Sequence, residues 1–209
     1  MDESDSLSPT LHTPSPWSRT LVEVLLPFAT IKTYRKGIHL ALEENGKPVC
    51  RMLITGSAQA YRNTDHLLVA SIPPLSILGF GGQNSFYIVT AESCKIATMP
   101  LDEFYRHIQE QEMWEVLAKH MIMVSNKLFY YSKLMSSPTA YETIRNQLME
   151  LNHEPEEVRK TVSVERYIRD RTHLSRSSIM KILAELKKGN YIDIEDGKLL
   201  EIHHLPLKY

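Results

Sequence analysis

Ser175-Arg176-Ser177-Ser178-Ile179-Met180-Lys181 brings three hydroxyls, a guanidinium and an ammonium into seven residues. Such groups donate to phosphate oxygens and to the acceptor edges of bases, and a guanidinium matches both major-groove acceptors of guanine. Ile179, Ile182, Leu183 and Leu186 recur at helical spacing, so one face of this segment is expected to be buried. Arg176, Ser177, Ser178 and Lys181 then fall on the opposite face, near the positive end of the helix dipole. Ser175 is suited to the N-cap, and Gly189-Asn190 to the stop. Lys187 and Lys188 in the last turn add two cations suited to phosphate contact.

The elements that must hold this helix are legible on either side. Ser163 can cap a shorter helix, Val164 to Arg171, and Thr172-His173-Leu174 is short enough to be the turn of a helix-turn-helix. Tyr191 to Ile194 and Lys198 to Ile202 flank Asp196-Gly197, a two-residue hairpin signal. Helix, turn, helix and hairpin in this order predict a winged helix. The competing reading is a three-helix packing unit with solvated cations. Charge favours DNA: from Arg159 to Tyr191, nine basic residues face three acidic ones, a net of +6. The whole chain is −1, which leaves −7 for the remainder. A domain that neutralises phosphates is thus joined to one that does not.

Other candidate chemistry is thin. Cys50 and Cys94 are too few for a disulfide framework. Both lie on strand-like runs, so buried inert thiols are expected, with a peroxide-sensing pair as the minority reading. The nine histidines form no HxH or HExxH cluster; His39 and His66 do not make a metal-dependent enzyme site, and His203-His204 reads as an exposed end, with a stray metal site as the alternative. No metal, cofactor or catalytic role is therefore expected. A pI near 6.8 argues against a generally sticky nucleic-acid binder. No apolar run approaches the ~20 residues that span a bilayer, and the N-terminus lacks a signal-peptide pattern. A cytoplasmic chain with no membrane partner is expected.

Residues 1–16, rich in Ser, Pro, Thr and Asp, are expected to be a disordered tail. Trp17 to Ala29 reads as an amphipathic helix with Leu21, Val24, Leu25 and Phe28 on one face. Short strand-like runs follow: Ile38–Leu42, Val49–Ile54, Ala58–Arg62, Leu67–Ile72, Ser85–Thr90 and Cys94–Thr98, with Glu44-Asn45-Gly46 as a hairpin turn. They suggest a jelly roll. A long helix from about Leu101 to Met135 comes next, with a break expected near Gln109–Glu112. On it Trp114, Leu117, Met121, Val124, Leu128, Tyr131 and Met135 form an a/d stripe. That stripe predicts a homodimer seam, against the alternative of packing on its own roll. Ser136-Ser137-Pro138 reads as a hinge, and Tyr141, Ile144, Leu148 and Leu151 mark one more helix. The expected fold class is α+β: a tail at 1–16, a β-roll with leading helix at 17–100, a dimerisation helix at 101–137 and a winged helix domain at 138–209.

That order resembles the CRP/FNR family of bacterial transcription regulators. Tyr34-Arg35-Lys36-Gly37 resembles the family's first barrel turn, and Met52 to Ala58 its "Ile-Leu-x-Gly-x-Val" strand and turn. Ile77-Leu78-Gly79 sits where the family has "Gly-Asp-x-x-Gly", without the Asp. Ser175-Arg176-x-x-Ile179-x-Lys181-Ile182-Leu183 is similar to the family's "Ser-Arg-x-x-Val-x-Arg-x-Leu" recognition helix. The resemblance covers nearly everything after residue 17, most closely in the last third. Within the family it is nearest to a short enterobacterial branch associated with inhibition of hydrogen peroxide resistance.

The resemblance implies a cyclic-nucleotide-binding-like roll, a homodimer on an inverted-repeat double-stranded DNA operator, contact with RNA polymerase and control of oxidative-stress genes. It makes Arg176 the main base reader and Lys181 a second reader or phosphate contact. Ser177 stands where many members have a cytosine-reading Glu, and His173 where a turn Gly is usual, so the resemblance leaves the operator sequence open. Cyclic-nucleotide-binding members use an Arg-Ser or Arg-Thr pair; here no Arg lies between Arg62 and Arg106, so cyclic AMP is not expected to bind. Gly79-Phe80-Gly81-Gly82 is read as a barrel corner rather than an anion site. Two cysteines cannot hold an iron–sulfur cluster as other members do. The small-molecule effector stays open. The alternative function is a degenerate effector-binding scaffold whose winged helix contacts protein.

Overall fold

A computed structural model describes residues 15–81, 85–135, 137 and 139–206, with the side chains of 131 and 133–135 outside the description. The chain divides into two compact units, Met1–Lys127 and Leu128–Tyr209, which part within one helix.

The first unit opens with α1 (Pro16–Leu25), where proline at the first helical position sacrifices an N–H that lacks a partner anyway. The helix therefore begins inside the stretch expected to be a tail: Ser15 is buried at the N-cap, and Pro16 belongs to the helix. Residues 1–14 lie outside the described residues. The buried face of α1 is Ser18, Leu21, Val22 and Leu25; Val22 takes the inward place expected for Val24, and Phe28 in the following 3-10 turn is exposed. The helix stops at Leu25 because Pro27 removes the next backbone donor.

Among the described residues nine strands follow: β1 (Thr30–Tyr34), β2 (His39–Leu40), β3 (Glu43–Glu44), β4 (Lys47–Thr55), β5 (Ala58–Arg62), β6 (Leu68–Ile72), β7 (Ser76–Leu78), β8 (Phe86–Thr90) and β9 (Cys94–Pro100). They form two antiparallel sheets, β1-β9-β4-β3 with β7 also on β4, and β2-β8-β5-β6. The run expected at Ile38–Leu42 is split between them. His39 and Leu40 pair with Val89 and Ile88, whereas Glu43 and Glu44 make the hairpin with β4 through Asn45-Gly46. The expectation missed β1 and β7: β1 is exposed along four of its five residues, and β7 is three residues long. Gly79 marks the corner after β7, where a Cβ would stand 2.3 Å from the Val49 carbonyl oxygen.

β4 is buried on both faces, which is why it lacks clean alternation. Cys50 and Met52 face a cluster with Leu21, Leu25, Ala97, Met99, Phe104 and Ile108, so α1 and α2 (Leu101–Glu110) cover one side of the five-stranded sheet. Leu53 faces the roll interior with Leu40, Leu42, Ala60, Ile88 and Ile96. Arg51, only 3% exposed, is held by Ala41 O at 2.8 Å, Thr98 Oγ1 at 2.9 Å and Glu44 Oε1 at 3.0 Å. That set of acceptors makes a buried cation tolerable.

The expected break after α2 falls at Gln111–Met113, where Glu112 takes a positive φ of 54°. α3 then runs from Trp114 to Met135. Leu117 is 6% exposed and packs on Met113, Phe104 and Ile108 of its own unit. This overturns its place in the dimer stripe, and Val124 is half-buried. The large apolar residues that α3 leaves most exposed are Ile122 (62%), Leu128 (63%) and Phe129 (75%), with Trp114 and Met121 exposed by more than two-fifths. Trp114, Met121 and Leu128 of the expected stripe are thus exposed, with Ile122 and Phe129 one position further along, while Leu117 is turned inward. The side chains of Tyr131 and Met135, and residues Ser136 and Pro138 of the expected hinge, lie outside the described residues. Among the described residues no helix is long and apolar enough to cross a membrane.

Candidate nucleic-acid interface

The second unit is a cluster of helices closed by a two-stranded wing. α4 (Ala140–His153) starts at a capping box, with Thr139 and Glu142 satisfying each other's backbone N–H groups. Its Tyr141, Ile144, Leu148 and Leu151 pack against Val164, Tyr167 and Ile168 of α6 (Val164–Arg169) and Ile179, Leu183 and Leu186 of α7 (Arg176–Lys188). A single turn, α5 (Glu156–Thr161), links α4 to α6, and β10 (Ile192–Glu195) with β11 (Lys198–Ile202) forms the wing. Ile192 and Leu199 of the wing join the same core. The α6–turn–α7–wing order is the one expected.

Both caps form as expected. Ser163 accepts the N–H of Arg166, and Ser175 that of Ser178 at 3.2 Å. α6 ends at Arg169, two residues earlier than expected, because Thr172 takes over the chain there. Its hydroxyl donates to Ile168 O at 2.8 Å and accepts from the Leu174 N–H at 3.4 Å. This bridge lets His173 occupy the turn without a left-handed backbone; His173 is absent from the residues with positive φ. At the end of α7 the left-handed residue is Asn190, φ 57°, rather than Gly189 at −78°. Gly189 is needed for space: a Cβ there would stand 2.4 Å from the Tyr191 ring. The wing turns through Asp196 and Gly197, both at positive φ, and the Gly197 carbonyl accepts the Val164 N–H at 2.9 Å. Wing tip and first helix of the motif are thereby joined.

A buried polar set fixes α6 to the end of α4. Tyr167 donates its hydroxyl to Glu154 Oε1 at 3.0 Å, and the Arg171 guanidinium lies 3.5 Å over the Tyr167 ring. Arg171 also approaches Glu154 Oε1 at 3.8 Å and donates to Tyr167 O.

Arg176, Ser177, Ser178 and Lys181 are all exposed on one side of α7, with Ile179, Leu183 and Leu186 buried on the other. The first turn is held by hydroxyls, Ser175 Oγ lying 3.0 Å from Ser177 Oγ and 2.9 Å from Ser178 Oγ. Ser175 and Ser178 are therefore engaged in capping, and Ser177 extends the same network. Arg176 is 73% exposed, and its Nε is 3.9 Å from Oε1 of the largely covered Glu165, a long contact to a carboxylate that Arg169 already holds at 2.8 Å. The cations of α6 are more occupied: Arg169 pairs with Glu165 at 2.8 Å and Arg166 with Asp170 at 3.4 Å. Among the described residues no ion pair engages Lys181 or Lys188. Positive charge without a local partner thus concentrates on α7.

Lys187 departs from expectation. Its ammonium donates to Ile194 O at 2.9 Å, tying the last turn of α7 to the wing, so it serves positioning as well as charge. Sequence reasoning also passed over Met180, half exposed (49%) on the outer side of α7 between Arg176 and Lys181. Its signal was available: residue 180 lies one position off the apolar stripe.

On the wing, Asp193 and Glu201 are register partners, and His203 reaches both, Nε2 at 3.0 Å from Asp193 and Nδ1 at 3.8 Å from Glu201. His203 is exposed, as expected, and these contacts anchor it to the wing. These three are the metal-compatible group found among the described residues. The imidazole already occupies the space between the carboxylates.

Both cysteines are buried. Burial pushes the Cys50 thiol far up, and Cys94 is raised by burial first while its Sγ donates to Ser57 O at 3.1 Å. Thiolate is the reactive form, and both sites disfavour it.

Residues 140–207 match a family described as winged helix-turn-helix DNA binding. A Salmonella typhimurium protein named inhibitor of hydrogen peroxide resistance is 35% identical over 102 residues, covering 49% of this chain and 49% of that protein. The chain thus spans about half the length of that curated relative. Among solved structures, the c-di-GMP-responsive global regulator CLP of Xanthomonas campestris superposes with a TM-score of 0.68 at 14% identity, over 88% of this chain and 99% of that one. A CRP/FNR-family transcriptional regulator from Thermus thermophilus gives 0.55 at 15% identity, over 82% and 94%. The chain has the α+β fold of the CRP/FNR regulators, with a roll at its N-terminal side and a winged helix at its C-terminal side.

Proposed function

We propose that this chain is a homodimeric, sequence-specific DNA-binding transcription regulator that reads DNA with α7. The observation that carries this is the outer face of that helix, where Arg176, Ser177 and Lys181 stand exposed on a helix whose opposite side is locked into the core. Polar groups on a rigid element can meet base edges with little loss of conformational freedom. Lys188 and the first-turn serines supply phosphate contacts, and Lys187 holds the wing beside the helix. The roll at residues 17–100 is an effector-domain relic without a cyclic-nucleotide phosphate site: Arg51, its buried arginine, is consumed by Ala41, Thr98 and Glu44. The second part of α3, with Ile122, Leu128 and Phe129 uncovered, is the dimer seam.

Two such helices would enter successive major grooves about 34 Å apart, so the operator is an inverted repeat. The likeness to the peroxide-resistance protein supports genes of oxidative-stress tolerance as targets, with RNA polymerase as the downstream partner. The test is selection of bound fragments from bacterial DNA by the purified protein, followed by titration in salt. A two-fold symmetric motif whose affinity falls steeply with salt is expected. Absence of any enriched motif, or binding indifferent to salt, would sink the reading in favour of a protein-contacting winged helix.

A further inference from the structure

α7 leaves one large apolar side chain half in solvent, Met180, and places it at the border of its polar face, one position off the buried stripe and beside Arg176 and Ser177. Four residues on, Ala184 is exposed and short, so nothing on the helix rises beside Met180 toward the C-terminus. Arg176 and Ser177 lie on the turn before it, and helical side chains lean toward that turn. The thioether therefore projects with the guanidinium and the hydroxyl rather than away from them. The core of the unit is closed by Ile179, Leu183 and Leu186, so Met180 has no packing role there.

An apolar group among donors fits a surface that offers acceptors and an apolar spot together. The major groove offers that combination: base acceptors beside the C5-methyl group of thymine. Methionine is unbranched and polarisable, and adapts to a methyl group whose position varies with groove geometry. We propose that Met180 is a specificity-determining residue that reads a thymine methyl in each half-site. This rests on the DNA-binding reading above and adds to it the identity of one base.

The experiment uses the full-length protein and its selected operator, with each thymine replaced in turn by uracil, which keeps the pairing and removes only the methyl. One symmetric position is expected to weaken binding by roughly fourfold per half-site, the burial of about one methyl group. Met180→Ala, which exposes no core, is expected to bind the thymine operator as weakly as the native protein binds the uracil operator, and to be indifferent to the replacement. Native affinity unchanged by uracil at every position would overturn the proposal. So would a Met180→Ala protein that still loses the same factor on uracil. Failure of the DNA-binding reading looks different, because no operator is then selected; that result would remove the proposal along with it.

Discussion

Lys187 Nζ stands 2.9 Å from the carbonyl oxygen of Ile194, so the last turn of α7 and the first strand of the wing are joined by a charged donor. The helix that carries Arg176 and Lys181 is thereby linked to the hairpin beside it through one exposed side chain. Lys188, its neighbour, has no such anchor among the described residues.

The two lysines should therefore separate. Lys187→Ala is expected to speed amide hydrogen exchange across Ile192–Ile202, with no change in α4. Lys188→Ala should leave that exchange untouched and reduce the slope of log affinity against log salt by about 1. Equal behaviour of the two in both measurements would contradict the tether.

Arg176→Ala is expected to cost roughly 1–3 kcal/mol of operator affinity and to relax one base preference. Glu165, its 3.9 Å neighbour, keeps its 2.8 Å partner Arg169, so the long contact to Arg176 is given up at little cost. Competition binding against a panel of single-base operator variants measures both effects. Undiminished affinity would move the reading face elsewhere.

His120 is 4% exposed on α3, edge-on to Phe80, and neither ring nitrogen has a hydrogen-bond partner. Burial first, and Lys127 second, push its pKa down from 6.5 to about 4. The unfolded chain then takes up a proton that the folded chain refuses. Stability is unaffected by this group above pH 6.5, falls as pH drops toward 4, and levels off below. The loss is on the order of 3 kcal/mol. Urea midpoints of the native protein and His120→Leu, compared at pH 7.5 and pH 5, should show the variant losing less on acidification. Parallel losses would show that His120 does not carry it.

Ile122→Glu or Phe129→Glu is expected to convert a dimer to a folded monomer, read by sedimentation and circular dichroism. Leu117→Ala should instead lower stability by about 2–5 kcal/mol, since it leaves a cavity against Met113 and Phe104. A Phe129→Glu protein that remains dimeric would place the seam elsewhere.

Native Cys50 and Cys94 should react with a thiol reagent only at the rate of unfolding, and peroxide should leave operator affinity unchanged. Mass spectrometry after brief alkylation reads this directly. Fast labelling of Cys94 would reopen a redox role, since burial and its bond to Ser57 O are what protect it.

By itself the sequence determined what is written in neighbouring residues. Ser163 and Ser175 as caps, Asp196-Gly197 as the wing turn and Ile179-Leu183-Leu186 as a buried face each depend on backbone geometry within a turn or two. The exposed set Arg176, Ser177, Ser178 and Lys181 follows from the same helical period. What the tertiary structure decided involves partners far along the chain. Leu117 turned inward because Phe104 and Ile108 wait for it, which no heptad count can register. Lys187 found Ile194 O through the register of the wing, and Arg51 became a buried structural cation because Ala41, Thr98 and Glu44 converge on it. β7, three residues long, exists because β4 offers it an edge. Met180 stands out for the same reason: its neighbours fill the core completely, and only a filled core shows which apolar side chain was left outside.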